Sequence, residues 1–262
     1  MPILVGTSGW QYKHWKDRFY AGVPQRAWLE HYAERFQTVE VNNSFYMLPK
    51  EQAFESWRKR TPDDFVVGVK LSRYLSHIKR LKDPQEPVER FMKHARWLGP
   101  KLGPLLLQLP PNLKIDLAGL DETLRHFGPD VRVAVEFRHD TWFVDEVKDV
   151  LTERGASFVL ADRGSQPITP LWRTADWGYV RWHAGSADPS PCYSTEDMRE
   201  WASRIAGLWG PDEDVYAYFN NDPQGCALRD AIVFAEEAER IGYAATRVPP
   251  HSDVRIGELP EG

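Results

Sequence analysis

The chain has few cysteines, and neither of the two, Cys192 and Cys226, stands in a CxxC or mixed Cys/His zinc pattern. Two lone thiols of this kind read as reduced cysteines in a cytosolic setting. Long hydrophobic runs are missing as well. No apolar stretch approaches the ~18 residues of a membrane span. The opening MPILVGTSGW has no basic segment leading into a long apolar one, so no secretion signal is expected and a cytoplasmic protein is. No strong excess of one charge sign exists: a formal net charge of −5 offers no bulk attraction to nucleic acid or anionic membrane, although it leaves a local basic site open. GxGxxG and GxxxxGK[ST] are absent, which argues against a doubly wound nucleotide-binding sheet. So are GxSxG and HExxH, which disfavours a serine-hydrolase elbow and a helical zinc site.

What is present suits one large domain. A chain of 262 residues can bury a sizeable core without staples, and it matches the ~250 residues of a single α/β barrel. Eleven tryptophans fit a thick core or a stacking pocket. Strand-length apolar runs fall at 3–8, 38–45, 65–72, 105–109, 131–138, 157–162, 178–183 and 215–220. Runs such as GPLLLQL and DVRVAVEF are apolar nearly throughout, as strands covered on both faces are. Amphipathic patterns separate them at 25–36, 50–60, 86–98, 117–126, 144–154, 195–208 and 228–241. Ser194-Thr195-Glu196-Asp197 supplies a helix start, and Gly99, Gly128, Gly155, Gly210 and Gly242 lie near helix ends. Between 163 and 177, Gly164, Pro167 and Pro170 oppose a helix, so unit six is expected to be degenerate. The expectation is a single (β/α)8 TIM-type barrel over 1–248, followed by a polar, proline-containing tail over 249–262 that packs loosely.

Side chains alternate faces along a strand. Following one parity gives Val5 and Thr7; Thr38, Glu40 and Asn42; Lys70 and Ser72; Leu106 and Gln108; Ala134, Glu136 and Arg138; Leu160 and Asp162; Tyr179, Arg181 and His183; Tyr218, Asn220 and Asp222. The opposite parity is mostly apolar, with Val39, Val41, Val67, Val69, Leu105, Leu107, Val133, Val135, Val180 and Trp182. Nearly every strand therefore ends its inward face in a polar group on the C-terminal side, where barrel enzymes build their sites. Four acids, Glu40, Glu136, Asp162 and Asp222, meet three cations, Lys70, Arg138 and Arg181, with His183 undecided. A self-satisfied ion network would balance this set, but such a network need not stabilise a fold, so a ligand or catalytic site is the preferred reading.

The blocks VGTSGWQYKHW, VEVNNSFYMLP, KLSRYLSHIKRL, LGPKLGPLLLQLPPN, VAVEFRHDTW, YVRWH and VYAYFNNDPQGCA, in this order over roughly 3–241, resemble the signature blocks of the YecE-like family, a domain family of unknown function. The resemblance implies a TIM-type barrel and brings no reaction with it. It implies recurrent polar positions at Glu40, Asn42, Lys70, His77, Gln108, Glu136, Arg138, His139, Asp162, Arg181, His183, Asn220, Asn221 and Asp222. Two departures stand out. Ser76 replaces a common Thr, and Ala184 replaces a common Gly before a longer polar stretch through Pro191, which alters loop seven.

Four chemistries follow. The preferred one is an enzyme acting on a small anionic or polyhydroxylated substrate. In it Lys70, Arg138 and Arg181 bind, with Asn42, His77, Gln108, His139, Asn220, Asn221 and Asp222 as further ligand contacts. Glu40, Glu136, Asp162 or His183 does acid/base work. Trp10, Tyr12, Trp15, Tyr46, Trp142 and Trp172 are placed to stack on a ring, against packing as the plain alternative. No cofactor motif is identified. Glu40, Glu136, Asp162, His183 and Asp222 nonetheless leave room for a divalent metal in a hydrolase or isomerase, in competition with the three cations. A glycosidase pair of Glu40 and Glu136 is a third option. A nucleic-acid or nucleotide module is the fourth, using Lys79, Arg80 and Lys82 with aromatics, disfavoured by the net charge.

Overall fold

The computed structural model describes residues 3–257, and in it eight strands close into a barrel in the order β1 to β8. The strands are β1 (Ile3–Thr7), β2 (Thr38–Val41), β3 (Val66–Lys70), β4 (Leu102–Gln108), β5 (Val133–Glu136), β6 (Ser157–Asp162), β7 (Gly178–Trp182) and β8 (Val215–Phe219). The helices are α1 (Trp28–Arg35), α2 (Asn43–Tyr46), α3 (Glu51–Arg60), α4 (Gln85–Ala95), α5 (Leu117–Arg125), α6 (Asp145–Glu153), α7 (Thr195–Ala206) and α8 (Cys226–Arg240). Every strand pairing resolved here is parallel, and β1, β6, β7 and β8 are buried along their whole lengths. The continuous apolar runs thus have the two-sided cover they suggest. Contacts group the described residues into two units. One runs to Val39 and adds Ala161–Ile168 and the chain from Val180; the other is Glu40–Leu160 with Thr169–Tyr179.

In the first unit β1 pairs with β8 from Ile3↔Val215 to Thr7↔Phe219, and with β2 at Gly6↔Thr38. A Cβ on Gly6 would lie 2.4 Å from the Thr38 carbonyl oxygen, so only glycine permits this approach. Trp182 stacks on Phe219 at 4.5 Å and meets Trp201 of α7 and Phe234 of α8. This is the helix-facing parity of β7. Burying large aromatics there contributes a few kcal/mol apiece, roughly. Helix α7 opens on a full capping box. Ser194 Oγ accepts from Asp197 N at 3.1 Å, and Asp197 Oδ2 accepts from Ser194 N at 2.8 Å. Loop seven lies against the start of α8, bringing Cys192 and Cys226 to a Cα separation of 4.8 Å, where they form a disulfide. That corrects the expectation of two reduced thiols: the pairing depends on how loop seven folds back, which spacing along the chain does not reveal.

In the second unit β3 pairs with β4, β4 with β5 and β5 with β6, in registers that set Lys70 beside Leu106 and Gln108 beside Glu136. Two expected strand boundaries move furthest. Strand β4 begins at Leu102, just beyond Gly99 and Pro100, and β2 stops at Val41 instead of running to 45. There the Ser44 hydroxyl donates to the carbonyls of Val41 and Lys70, bending the chain into the short α2 and tying it to β3. Unit six is degenerate as expected: no helix lies between β6 and β7. The described part of the tail makes a few specific contacts. His251–Asp253 forms a turn, Asp253 accepts from Arg35 at 2.8 Å, and Arg255 N donates to the Arg18 carbonyl. Residues 258–262 of that expected tail lie outside the described residues.

Candidate functional site

In the second unit one hydrogen-bonded chain joins the ends of three adjacent strands. Lys70 Nζ donates to Gln108 Oε1 at 2.7 Å, Gln108 Nε2 donates to Glu136 Oε1 at 2.9 Å, and Arg138 Nε donates to the same oxygen at 3.0 Å. The parity reading placed these four side chains on one face, and the register of β3, β4 and β5 brings them into contact. Glu136 is 2% exposed at its side chain, whereas Arg138 is 34% exposed and open to solvent. The Lys70 ammonium also sits 4.2 Å above the Phe45 ring, which α2 holds in place. The chain joins two cations to one buried carboxylate, with Arg138 at its solvent-open end.

Beyond β3 the backbone makes a π-type turn, with Lys79 N donating to the Tyr74 carbonyl, and the turn carries His77. The imidazole stands edge-on to Phe45 at 4.9 Å, and its Nδ1 shares a 2.9 Å hydrogen bond with the Ser76 hydroxyl. Burial lowers its pKa below the ordinary imidazole value, and the charges of Lys70, Arg73, Arg138 and Arg80 lower it further. The neutral imidazole is therefore the favoured form of His77 at pH 7, in a field set by four cations. Glu40 lies in the same unit, fully buried, with the Tyr179 hydroxyl donating to Oε2 at 2.5 Å. Asn42 ends β2 just before α2. His139 is engaged locally: its Nδ1 accepts from Thr141 N at 3.2 Å and caps the turn that follows.

The first unit holds the remaining expected residues. Asp162 is committed on both oxygens, to the Tyr193 hydroxyl at 2.8 Å and to Trp201 Nε1 at 2.8 Å. Burial raises its pKa, and those two hydrogen bonds oppose the rise. Asp162 thus ties the end of β6 to α7 and loop seven. Arg181 is buried, and His183 Nδ1 lies 3.1 Å from Asn220 Nδ2. Asn221 donates to the Pro191 carbonyl at 3.0 Å and to Asp230 Oδ2 at 2.7 Å, so it pins loop seven. Asp222 lies 3.3 Å from His14 Nε2, and its carbonyl accepts from Trp15 Nε1. Desolvation pushes the Asp222 carboxyl up while His14 draws it back.

Among the described residues no three His, Cys, Asp or Glu side chains gather closely enough to hold a metal ion. The basic segment proposed for phosphates is occupied: Lys79 pairs with Asp83 at 3.0 Å, and Arg80 bonds both the side chain and the carbonyl of Asn112. Of the aromatics considered for stacking, Trp10, Trp15 and Trp142 are buried as packing, while Tyr46 is 75% exposed. Sequence reasoning missed His14, Tyr193 and Asp230. The first sits in the GTSGWQYKHW block, but no periodic pattern links it to the end of β8.

A closed parallel eight-stranded barrel with polar groups at the C-terminal ends of its strands is a TIM-type barrel. The pattern of the family described as "Protein of unknown function DUF72" matches residues 4–252, and the chain belongs to that family. The UPF0759 protein YecE of Escherichia coli K12 is 30% identical over 172 residues, 63% of this chain and 60% of that protein, so the match spans about 60% of its length. The UPF0759 protein YunF of Bacillus subtilis is 24% identical over 258 residues, covering 86% of this chain and 90% of it. A crystal structure of a DUF72 family protein from Thermotoga maritima superposes with a TM-score of 0.77 at 26% identity, over 91% of this chain and all of that one. No helix of the described residues is long and apolar enough to cross a membrane.

Proposed function

We propose that this chain is an enzyme that holds a small anionic or polyhydroxylated substrate at the C-terminal ends of β3, β4 and β5 and moves a proton on it. The observation that carries this reading is the Lys70–Gln108–Glu136–Arg138 chain, with the Arg138 guanidinium open to solvent and a neutral His77 in the same field. Arg138 is open enough to present its fork to a carboxylate or phosphate, and Lys70 supplies a point charge. Gln108 and Glu136 fix the geometry of both cations. His77 is the base this arrangement favours, because it is unprotonated at pH 7 while its neighbours hold an anion. Glu136 is the second candidate for proton transfer. In this reading residues 1–248 act as one barrel domain, in the cytoplasm. The Cys192–Cys226 bond is fully buried, beyond easy reach of small thiols.

The test is a thermal-shift screen of the purified chain against phosphates, sugar phosphates, carboxylates and nucleotides, each with and without chelator. A ligand at about 100 times its dissociation constant stabilises by roughly 2.7 kcal/mol, a shift of a few degrees at this size. The expected result is a shift with one anion class that disappears in Arg138→Met while the unliganded melting point stays within a few degrees. A shift equally strong in Arg138→Met would refute the assignment.

A further inference from the structure

A cavity of about 300 Å³ is lined by Tyr46, Leu71, Ser72, Leu75, Arg90 and Phe91 among others. Its walls come from the turn after α2, the end of β3, the π-turn and one face of α4. They belong to the second unit throughout. The volume lies at the small end of ligand pockets, and the lining is mostly apolar and aromatic with few polar groups, which is the usual composition of such a site. Tyr46 and Met47 at its rim are 75% and 78% exposed, the largest such values among the exposed large hydrophobics of the described residues. Apolar side chains held out at the mouth of a cavity gain from a ligand that covers them. Arg90 makes no ion pair among the described residues, although Glu86 and Glu89 share its helix; Glu89 accepts from Gln85 instead.

We infer that this cavity is a second subsite, one that takes a planar aromatic ring carrying an anionic substituent. The ring packs against Leu71, Leu75 and the aromatic walls, and the carboxylate or phosphate pairs with the Arg90 guanidinium at the rim. Charge complementarity selects the occupant: the one ionic group among the lining residues is positive, and the rest of the wall rewards a flat apolar face. This goes beyond the acid/base reading. The subsite uses none of Lys70, Gln108, Glu136 or Arg138.

Isothermal titration of the full chain with benzoate and phenyl phosphate, and with acetate and inorganic phosphate for comparison, tests it. The aryl acids are expected to bind at least tenfold more tightly than their ring-less counterparts. Arg90→Gln is expected to weaken them about tenfold or more while leaving the melting point unchanged, since the side chain is exposed. Leu48→Trp, which fills the cavity from its half-buried edge, is expected to block both. Arg138→Met is expected to leave aryl-acid binding intact, so a failure of the charged cluster and a failure of this subsite are told apart. The inference is overturned if acetate binds as well as benzoate, if none of the probes binds, or if aryl-acid binding survives Arg90→Gln and Leu48→Trp but is lost in Arg138→Met.

Discussion

At the scale of single residues, the balance of charge around Glu136 governs what the site can hold. One buried carboxylate accepts from both an amide and a guanidinium, and Lys70 joins through the amide. Charge-assisted bonds of this kind are worth roughly 1.5–3 kcal/mol each when intact. His77 follows from the same field. Its pKa lies below 6.5, so the neutral form is favoured in the folded state and any activity that uses it as base should hold through pH 7. The acid limb of kcat/KM should fall below the ordinary imidazole range, and His77→Gln should remove that limb. A limb centred at or above 6.5 would contradict the assignment. The linkage has a definite sign: a depressed histidine pKa adds stability above 6.5 that is lost as pH falls through the lower, folded value. Lys70, Gln108, Glu136 and Arg138 were legible in the sequence because strand alternation has period two and parallel register is close to even. His77 was placed by family resemblance, since no periodicity predicts the π-turn that carries it.

At the scale of elements, loop seven and α8 form the second tightly tied structure. Asp230 on α8 accepts from Tyr193 N at 2.9 Å, from Asn221 Nδ2 at 2.7 Å and from Arg229 at 2.7 Å. Burial nevertheless lifts its pKa to about 6. A raised carboxyl pKa means that the folded state binds the proton more tightly than the unfolded one. Its contribution to stability is full below 3.8 and is lost as pH rises to about 6. The loss amounts to roughly 3 kcal/mol at most. Urea unfolding across pH 4–7 should show this decline, and Asp230→Asn should flatten it; an unchanged slope in the variant would assign the dependence elsewhere. Trp201→Phe removes one of the two donors to Asp162, so it should cost roughly 1–3 kcal/mol by the same measurement. The α7 start was readable because a capping box is a local code of four residues. The place of Asp162 was not. Parity set it inward, yet at the end of β6 its carboxylate meets Trp201 of α7 and Tyr193 of loop seven, an outcome of tertiary packing.

At the scale of the whole molecule, the alternation of apolar runs and amphipathic patterns, with polar strand ends and no glycine-rich phosphate motif, was enough to read a (β/α)8 barrel, and Gly164, Pro167 and Pro170 foretold the missing helix between β6 and β7. Contacts between distant loops were not readable in the same way, and the Cys192–Cys226 bond is the plainest case. Its closed loop spans 34 residues, for which chain entropy gives a stabilisation of roughly 3–4 kcal/mol. Alkylation of unreduced, denatured protein should therefore find no free thiol, and Cys192→Ala should lower unfolding free energy by about that amount. The central claim is that the Lys70–Gln108–Glu136–Arg138 chain at the ends of β3, β4 and β5 binds an anion, and calorimetric titration of the best anion from the screen tests it most directly, using wild type, Lys70→Met and Glu136→Gln. The account predicts that Lys70→Met weakens binding at least tenfold and that Glu136→Gln, which removes the opposing negative charge, tightens it. Binding unchanged by Lys70→Met, or lost in Glu136→Gln, would contradict it and leave these residues as a structural ion network.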